Sequence, residues 1–231
     1  MSDTALAIMA RYPEAGKTKT RLAQATGNEV AAQLYRAFLT DLARRFAGTT
    51  FDLHWAFTPP AIDYQSFVAT LAPALARYMA CFPQQGDDFG TRLHNVFRQT
   101  AGRNYPYTVL IGSDSPHICR ETVAQARAAL EQADVVLGPA EDGGYYLIAM
   151  REPHDVFSGI PMSTSVVLRM TIELALRQGL SVRLLQPLFD VDELPDLQRL
   201  AQALEENAAL APATAAFLAT RRSLYDRYSR R

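Results

Sequence analysis

The stretch TVLIGSDSPHI, residues 108–118, passes from a short aliphatic run into hydroxyls, a carboxylate and a proline. Thr108–Ile111 read as a buried strand. Ser115 suits a helix N-cap, and Pro116 suits the first helical position, where the missing N–H costs nothing. Downstream, ETVAQARAALEQ (121–132) reads as a helix and DVVLGPA (134–140) as a second apolar strand. A strand, a crossover helix and a strand make a βαβ unit, so these two strands should be parallel. Asp114 is left over. It stands at the C-terminal end of a buried strand with no role in starting the helix.

The same alternation extends outward in both directions. TALAIMA (4–10) is a continuous apolar strand, and RYPEAGKTKTRL (11–22) is a basic loop after it. Val30, Leu34, Phe38, Leu42 and Phe46 recur every fourth residue, which predicts a helix over 28–48 capped by Asn28 and ended by Gly48. Strands are expected at 51–57, 78–82, 145–150 and 181–188, with helices between them. The helix over 163–179 would be capped by Ser163 or Thr164, and two helices should close the chain. Strands alternating with helices predict a three-layer α/β/α sandwich on a mostly parallel sheet, with residues 1–231 in a single domain and the helices of 195–231 packed on it.

Composition narrows the function classes. Of 231 residues, 48% are hydrophobic and the net charge is −1, so a large core is available and no basic field exists to gather nucleic acid. The arginine-rich end RRSLYDRYSRR (221–231) reads as a solvated helix. Cys81 and Cys119 stand far apart and four histidines are scattered, which argues against zinc. Neither a signal peptide nor a membrane span is legible, so a cytoplasmic protein is expected. GKTKT lacks the first glycine of a P-loop, Arg11 standing in its place, and GSDSP has Asp where a serine hydrolase has its nucleophile.

Open α/β sheets bind ligands beyond the C-terminal ends of their strands. There the sequence places Arg11, Lys17, Lys19 and Arg21 after the first strand, opposed by Glu14. Asp114 follows the 107–112 strand, Glu141 and Asp142 follow the next, and Asp190 and Asp192 follow the strand near 181–188. Each feature has a plainer reading taken singly: a turn at Asp114, a hairpin at EDGGYY, a helix start at FDVDELPDL, a solvated surface for the basic loop. Taken together they share one edge. Clustered carboxylates repel unless a cation sits among them, and oxygen-only ligands favour Mg²⁺ or Mn²⁺. A basic loop facing such a site suits a polyphosphate.

Four stretches carry a family resemblance: ARYPEAGKTKTRLA (10–23), GSDSPHI (112–118), LGPAEDGGYYLIAM (137–150), and residues 159–197, which end in VDELPDL. In this order they resemble the bacterial DUF2064 family of GT-A-fold, glycosyltransferase-like proteins, which is related to phospholactate guanylyltransferases. The resemblance implies a Rossmann-like fold that binds a nucleotide sugar or a nucleoside triphosphate with a divalent metal. It implies that Asp114 and Asp192 are metal ligands and that Arg11, Gly16, Lys17, Lys19 and Arg21 form a phosphate loop. It also implies that EDGGYY faces the acceptor, with Gly143 and Gly144 beside the bound cofactor and Asp142 or Glu141 orienting or deprotonating a small-molecule acceptor. Met162 stands where the family commonly has Trp, and Asp87 and Asp88 stand in a commonly Gly-rich turn. The expected activity is glycosyl transfer from a nucleotide sugar. Nucleotidyl transfer to a phosphorylated small molecule is the alternative, and a non-catalytic nucleotide-binding role ranks third.

Overall fold

The computed structural model describes residues 2–222; most of the arginine-rich end, residues 223–231, lies outside the described residues. One seven-stranded sheet organises the chain, in the order β3-β2-β1-β4-β6-β5-β7. The strands are β1 (Thr4–Arg11), β2 (Asp52–Thr58), β3 (Met79–Pro83), β4 (Tyr107–Gly112), β5 (Val135–Pro139), β6 (Tyr145–Met150) and β7 (Val182–Leu184). All run parallel except β6, which is antiparallel to both β4 and β5.

Central β1 explains its own sequence. Residues 4–10 are buried on both faces, so the strand is apolar without alternation. Leu6, Ile8 and Ala10 face one core, and Ala7 and Met9 face the other. The first core is covered by α1 (Thr20–Thr26), α2 (Asn28–Phe46), α3 (Tyr64–Leu71), α5 (Arg120–Ala129), α7 (Leu194–Glu206) and α8 (Pro212–Ala219). The second is covered by α4 (Phe89–Ala101) and α6 (Val167–Arg177). Buried Asp41 on α2 fastens α8 by accepting from Ala213 N (2.7 Å), Thr214 N (2.8 Å) and Thr214 Oγ1 (2.6 Å). No described helix is long and apolar enough to cross a membrane.

Several expectations are revised. The strands flanking α5 point the same way, but they do not pair. The turn at 141–144 folds β6 back along β5, and β6 takes the place between β5 and β4. Ser115 and Pro116 do not start a helix. They lie in a turn closed by Ile118 N to Ser115 O, and α5 begins at Arg120 after Cys119. The Ser115 hydroxyl instead donates to Phe189 O at 3.1 Å. Helix α6 starts at Val167 without a side-chain cap from Ser163 or Thr164, and α2 is preceded by Gly27, so Asn28 is its first residue rather than its cap.

Buried His54 and half-buried His117, whose ring nitrogens are enclosed, make the fold acid-sensitive. Burial, then the Arg103 guanidinium, holds His54 down to about 4. Burial, then Arg45 and Arg199, holds His117 down to about 4. Between pH 6.5 and 4 the unfolded chain therefore binds protons that the folded chain refuses. Stability falls as pH drops through that window, by up to about 3 kcal/mol per histidine. Urea unfolding at pH 7 and pH 4.5 should show the loss. A His54→Phe/His117→Phe double variant should show a smaller one, and an equal loss in both proteins would refute this origin.

Candidate active site

The chain winds from β1 outward to β3, then returns to lay β4 on the other side of β1. Loops diverge at that switch point and leave a crevice beyond the strand ends. A cavity of about 560 Å³ opens there. Arg11, Lys17, Lys19, Arg21, Ser113, Asp114 and Asp192 line it, all expected except Ser113.

Backbone pairing brings Asp114 and Asp192 together. Val191 N donates to Asp114 O at 3.0 Å, and the Ser115–Phe189 hydrogen bond lies just beyond it. Fully buried Val191 anchors this segment, with Asp190 and Asp192 on either side of it. The two carboxylates converge on an ammonium group. Lys19 Nζ lies 2.5 Å from Asp114 Oδ1 and 2.7 Å from Asp192 Oδ1, and it donates to Val191 O at 2.8 Å. The Lys19 side chain is only 5% exposed. Burial disfavours its charge, but the two carboxylates outweigh burial and hold its pKa above the ordinary lysine range. Its backbone takes φ 50° and ψ 46°, the left-handed region that lysine rarely occupies, immediately before α1. Strain of this kind persists only where the surroundings impose it. Here it aims the ammonium at the carboxylates.

The basic loop owes its shape to local bonds. Thr18 Oγ1 donates to Tyr12 O at 3.0 Å and accepts from Glu14 N at 3.2 Å, and Lys17 pairs with Glu14 at 2.8 Å. Gly16 turns this loop at φ 77° without lining the cavity. Tyr35, projecting from α2, accepts from Arg11 N at 3.1 Å and hydrogen-bonds Ser113 Oγ at 2.7 Å. It thereby braces the ends of β1 and β4 together.

A second cavity of about 260 Å³ adjoins the first, and Met9, Phe89, Gly112, Asp114 and Ser163 line both. Asp142, Gly144 and Asp190 line only the second, with Leu93, Tyr145 and Met162 as its apolar wall. Asp142 Oδ1 accepts from Gly144 N at 2.8 Å, which closes the turn after β5. Burial, then the carboxylates of Asp142, Asp192 and Asp114, push Asp190 up to about 6.

Besides Gly16, two expected residues line neither cavity. Glu141 makes a bidentate pair with Arg199 on α7, at 2.6 and 3.0 Å. That contact draws it toward the outer helix and away from the lining of both cavities. Gly143 packs under the backbone of residue 165 at φ 91°, where an added Cβ would come within 2.2 Å of Ser165 O. It serves the close approach of two loops and lines neither cavity.

Arg92 and Gln84 also line the first cavity and were missed. Arg92 projects from α4, whose start Asp88 caps by accepting from Thr91 N at 2.8 Å. Arg92 Nε donates to Gly86 O at 2.9 Å, so the 84–88 loop places it. Gln84 Nε2 donates to Ala56 O at 2.8 Å and Ala10 O at 3.2 Å, bridging the ends of β2 and β1. The DD pair at 87–88 was the available signal, since an acid before a helical pattern marks an N-cap.

Among the described residues, no three Asp, Glu, His or Cys side chains are already arranged around one metal position. The donor chemistry nonetheless suits a hard divalent cation. All four nearby carboxylates, Asp114, Asp142, Asp190 and Asp192, offer oxygen alone.

A mostly parallel sheet with an inserted antiparallel strand and a ligand crevice at its switch point is the fold of the nucleotide-diphospho-sugar transferases. A family model, "Uncharacterized protein conserved in bacteria (DUF2064)", matches residues 42–164, and the chain belongs to that family. The chain is similar along 99% of both lengths, at 35% identity and a TM-score of 0.89, to a Desulfovibrio desulfuricans G20 protein provisionally assigned as a nucleotide-diphospho-sugar transferase. A cytidylyltransferase from Leptospira borgpetersenii shares the fold at 10% identity, with 98% of each chain covered and a TM-score of 0.57. A 4-diphosphocytidyl-2C-methyl-D-erythritol synthase from Anaerococcus prevotii shares it at 7% identity, with 88% of this chain and 97% of that one covered and a TM-score of 0.57. No curated protein matches the chain.

Proposed function

We propose that this protein is a metal-dependent transferase that moves a sugar from a nucleotide sugar to a small-molecule acceptor. The observation that supports this most is the opposite charge of two adjoining cavities that meet at Asp114. Arg11, Lys17, Lys19, Arg21 and Arg92 line the larger one and suit the phosphates of a nucleotide. The smaller one has an apolar wall and the carboxylates of Asp142 and Asp190, as an acceptor site requires. The assignment of the 35% identical Desulfovibrio protein supports the sugar donor.

In this reading Arg11, Arg21 and Arg92 orient the diphosphate, and Tyr35 fixes the strand ends beneath it. Asp114 and Asp192 would hold Mg²⁺ or Mn²⁺, which when bound supplies positive charge to the leaving diphosphate. Lys19, held between those carboxylates in the wall of the larger cavity, offers its charge to the phosphate oxygens beside it. Asp142 accepts the proton of the acceptor nucleophile. Five basic side chains exceed what a diphosphate needs, and this favours the second reading, nucleotidyl transfer from a triphosphate.

A thermal-shift screen of nucleoside triphosphates against nucleotide sugars, with and without Mn²⁺, tests the choice. Nucleotide sugars should raise the melting temperature by several degrees in Mn²⁺. Stabilisation by triphosphates alone would select nucleotidyl transfer. In Asp114→Asn the Mn²⁺-dependent part of the shift should vanish, and its persistence would remove Asp114 from the metal site.

A further inference from the structure

The two cavities differ in what they can neutralise. The larger holds five basic side chains against the carboxylates of Asp114 and Asp192. The smaller has Asp114, Asp142 and Asp190, and none of its lining residues is Lys or Arg. Phe89, Leu93 and Met162 give it an apolar wall. The Tyr145 ring completes that wall, its hydroxyl buried away from the cavity beside Thr171.

We infer that the acceptor bound in the smaller cavity is a compact alcohol with an apolar body and no phosphate or other anionic group. This rests on the reading that the larger cavity holds the donor's phosphates. A phosphomonoester acceptor would bring about two negative charges beside Asp142 and Asp190, next to a donor already anionic, with no cation in the wall to meet them. An alcohol meets no such penalty. Its hydroxyl can donate to Asp142, and its carbon skeleton can lie on Phe89 and Met162. In the transfer step the acceptor oxygen bonds to the anomeric carbon as its proton passes to the Asp142 carboxylate. The bond from that carbon to the diphosphate oxygen breaks, and the nucleoside diphosphate leaves with the electron pair.

Methyl-labelled methionine spectra of the full chain separate the two sites, because Met9 lines both cavities and Met162 only the smaller. A Met162→Leu variant assigns the signal. UDP, GDP, CDP and ADP with Mg²⁺ are titrated first, followed by benzyl alcohol, cyclohexanol and their phosphate monoesters. At least one alcohol should shift Met162, at a concentration about a hundredfold below that required by its own phosphate ester. A phosphate ester acting at equal concentration, or no shift from either alcohol, overturns the inference. The donor reading fails separately, if no nucleotide shifts Met9. An Asp142→Asn/Asp190→Asn double variant should admit benzyl phosphate, and continued exclusion would refute the electrostatic cause.

Discussion

Replacing Lys19 with Met will lower nucleotide affinity at least a hundredfold, whereas Lys17→Met will lower it only a few-fold. The difference follows from burial. Lys17 is 68% exposed and paired with Glu14, so solvent and salt screen its charge. Arg21 is 63% exposed and lies 3.9 Å from Asp192. Lys19 is enclosed in the wall of the larger cavity, where the effective dielectric is lower and the same charge acts more strongly. Its loss also strips the ammonium partner from Asp114 and Asp192 and leaves that part of the larger cavity acidic. A hundredfold corresponds to about 2.7 kcal/mol of binding. Titration calorimetry against mono-, di- and triphosphates should show a loss that grows with the number of phosphates. Losses equal for Lys17→Met and Lys19→Met would refute the central place given to Lys19. The fold pays less. Breaking a fully buried ion pair costs about 3–5 kcal/mol, but these carboxylates are 44% and 37% exposed, so about 1–2 kcal/mol is expected in urea unfolding.

Lys19 also marks how far the sequence could be read. It was legible as one of four basic residues in a loop. Its selection from among them was not, because that depends on a left-handed backbone and on two carboxylates at residues 114 and 192 in the chain. Asp114 and Asp142 were legible because each follows a strand whose apolar run is plain, and parallel strands carry their C-terminal loops to one edge; the strand expected over 181–188 before Asp192 shortens to Val182–Leu184. What failed was local chemistry with two uses. Ser115 and Pro116 fit a helix start, but the Ser115 hydroxyl gains a tertiary partner in Phe189 O and the helix waits until Arg120. Glu141 and Asp142 are adjacent acids of equal promise, and only the distant Arg199 separates them. The pairing of β4 with β6 was hidden for the same reason. Hydrophobic periodicity identifies a strand, but it does not say which neighbour a hairpin will select.

Asp142→Asn will reduce turnover by a factor of about 10²–10⁴ while leaving donor binding within a few-fold of wild type. The substitution is mild for the fold. An Asn side-chain oxygen can still accept from Gly144 N, now at 2.8 Å, so the turn after β5 keeps its closing bond. Asp142 lines the smaller cavity and not the larger, so the donor's phosphates lose no contact. What disappears is a carboxylate able to take a proton where the acceptor hydroxyl is expected. Glu141→Gln supplies the contrast. Its carboxylate is committed to Arg199 at the surface, and an exposed pair of this kind contributes about 1 kcal/mol or less. Turnover in that variant should stay within about twofold of wild type, with the alcohol that shifts Met162 as acceptor and the nucleotide sugar that stabilises the chain as donor. Steady-state kinetics then separate the adjacent acids: a large fall in kcat at position 142 with KM for the donor unchanged, and almost none at 141. Equal falls at both positions would mean that the turn, rather than the Asp142 carboxylate, is what the reaction needs.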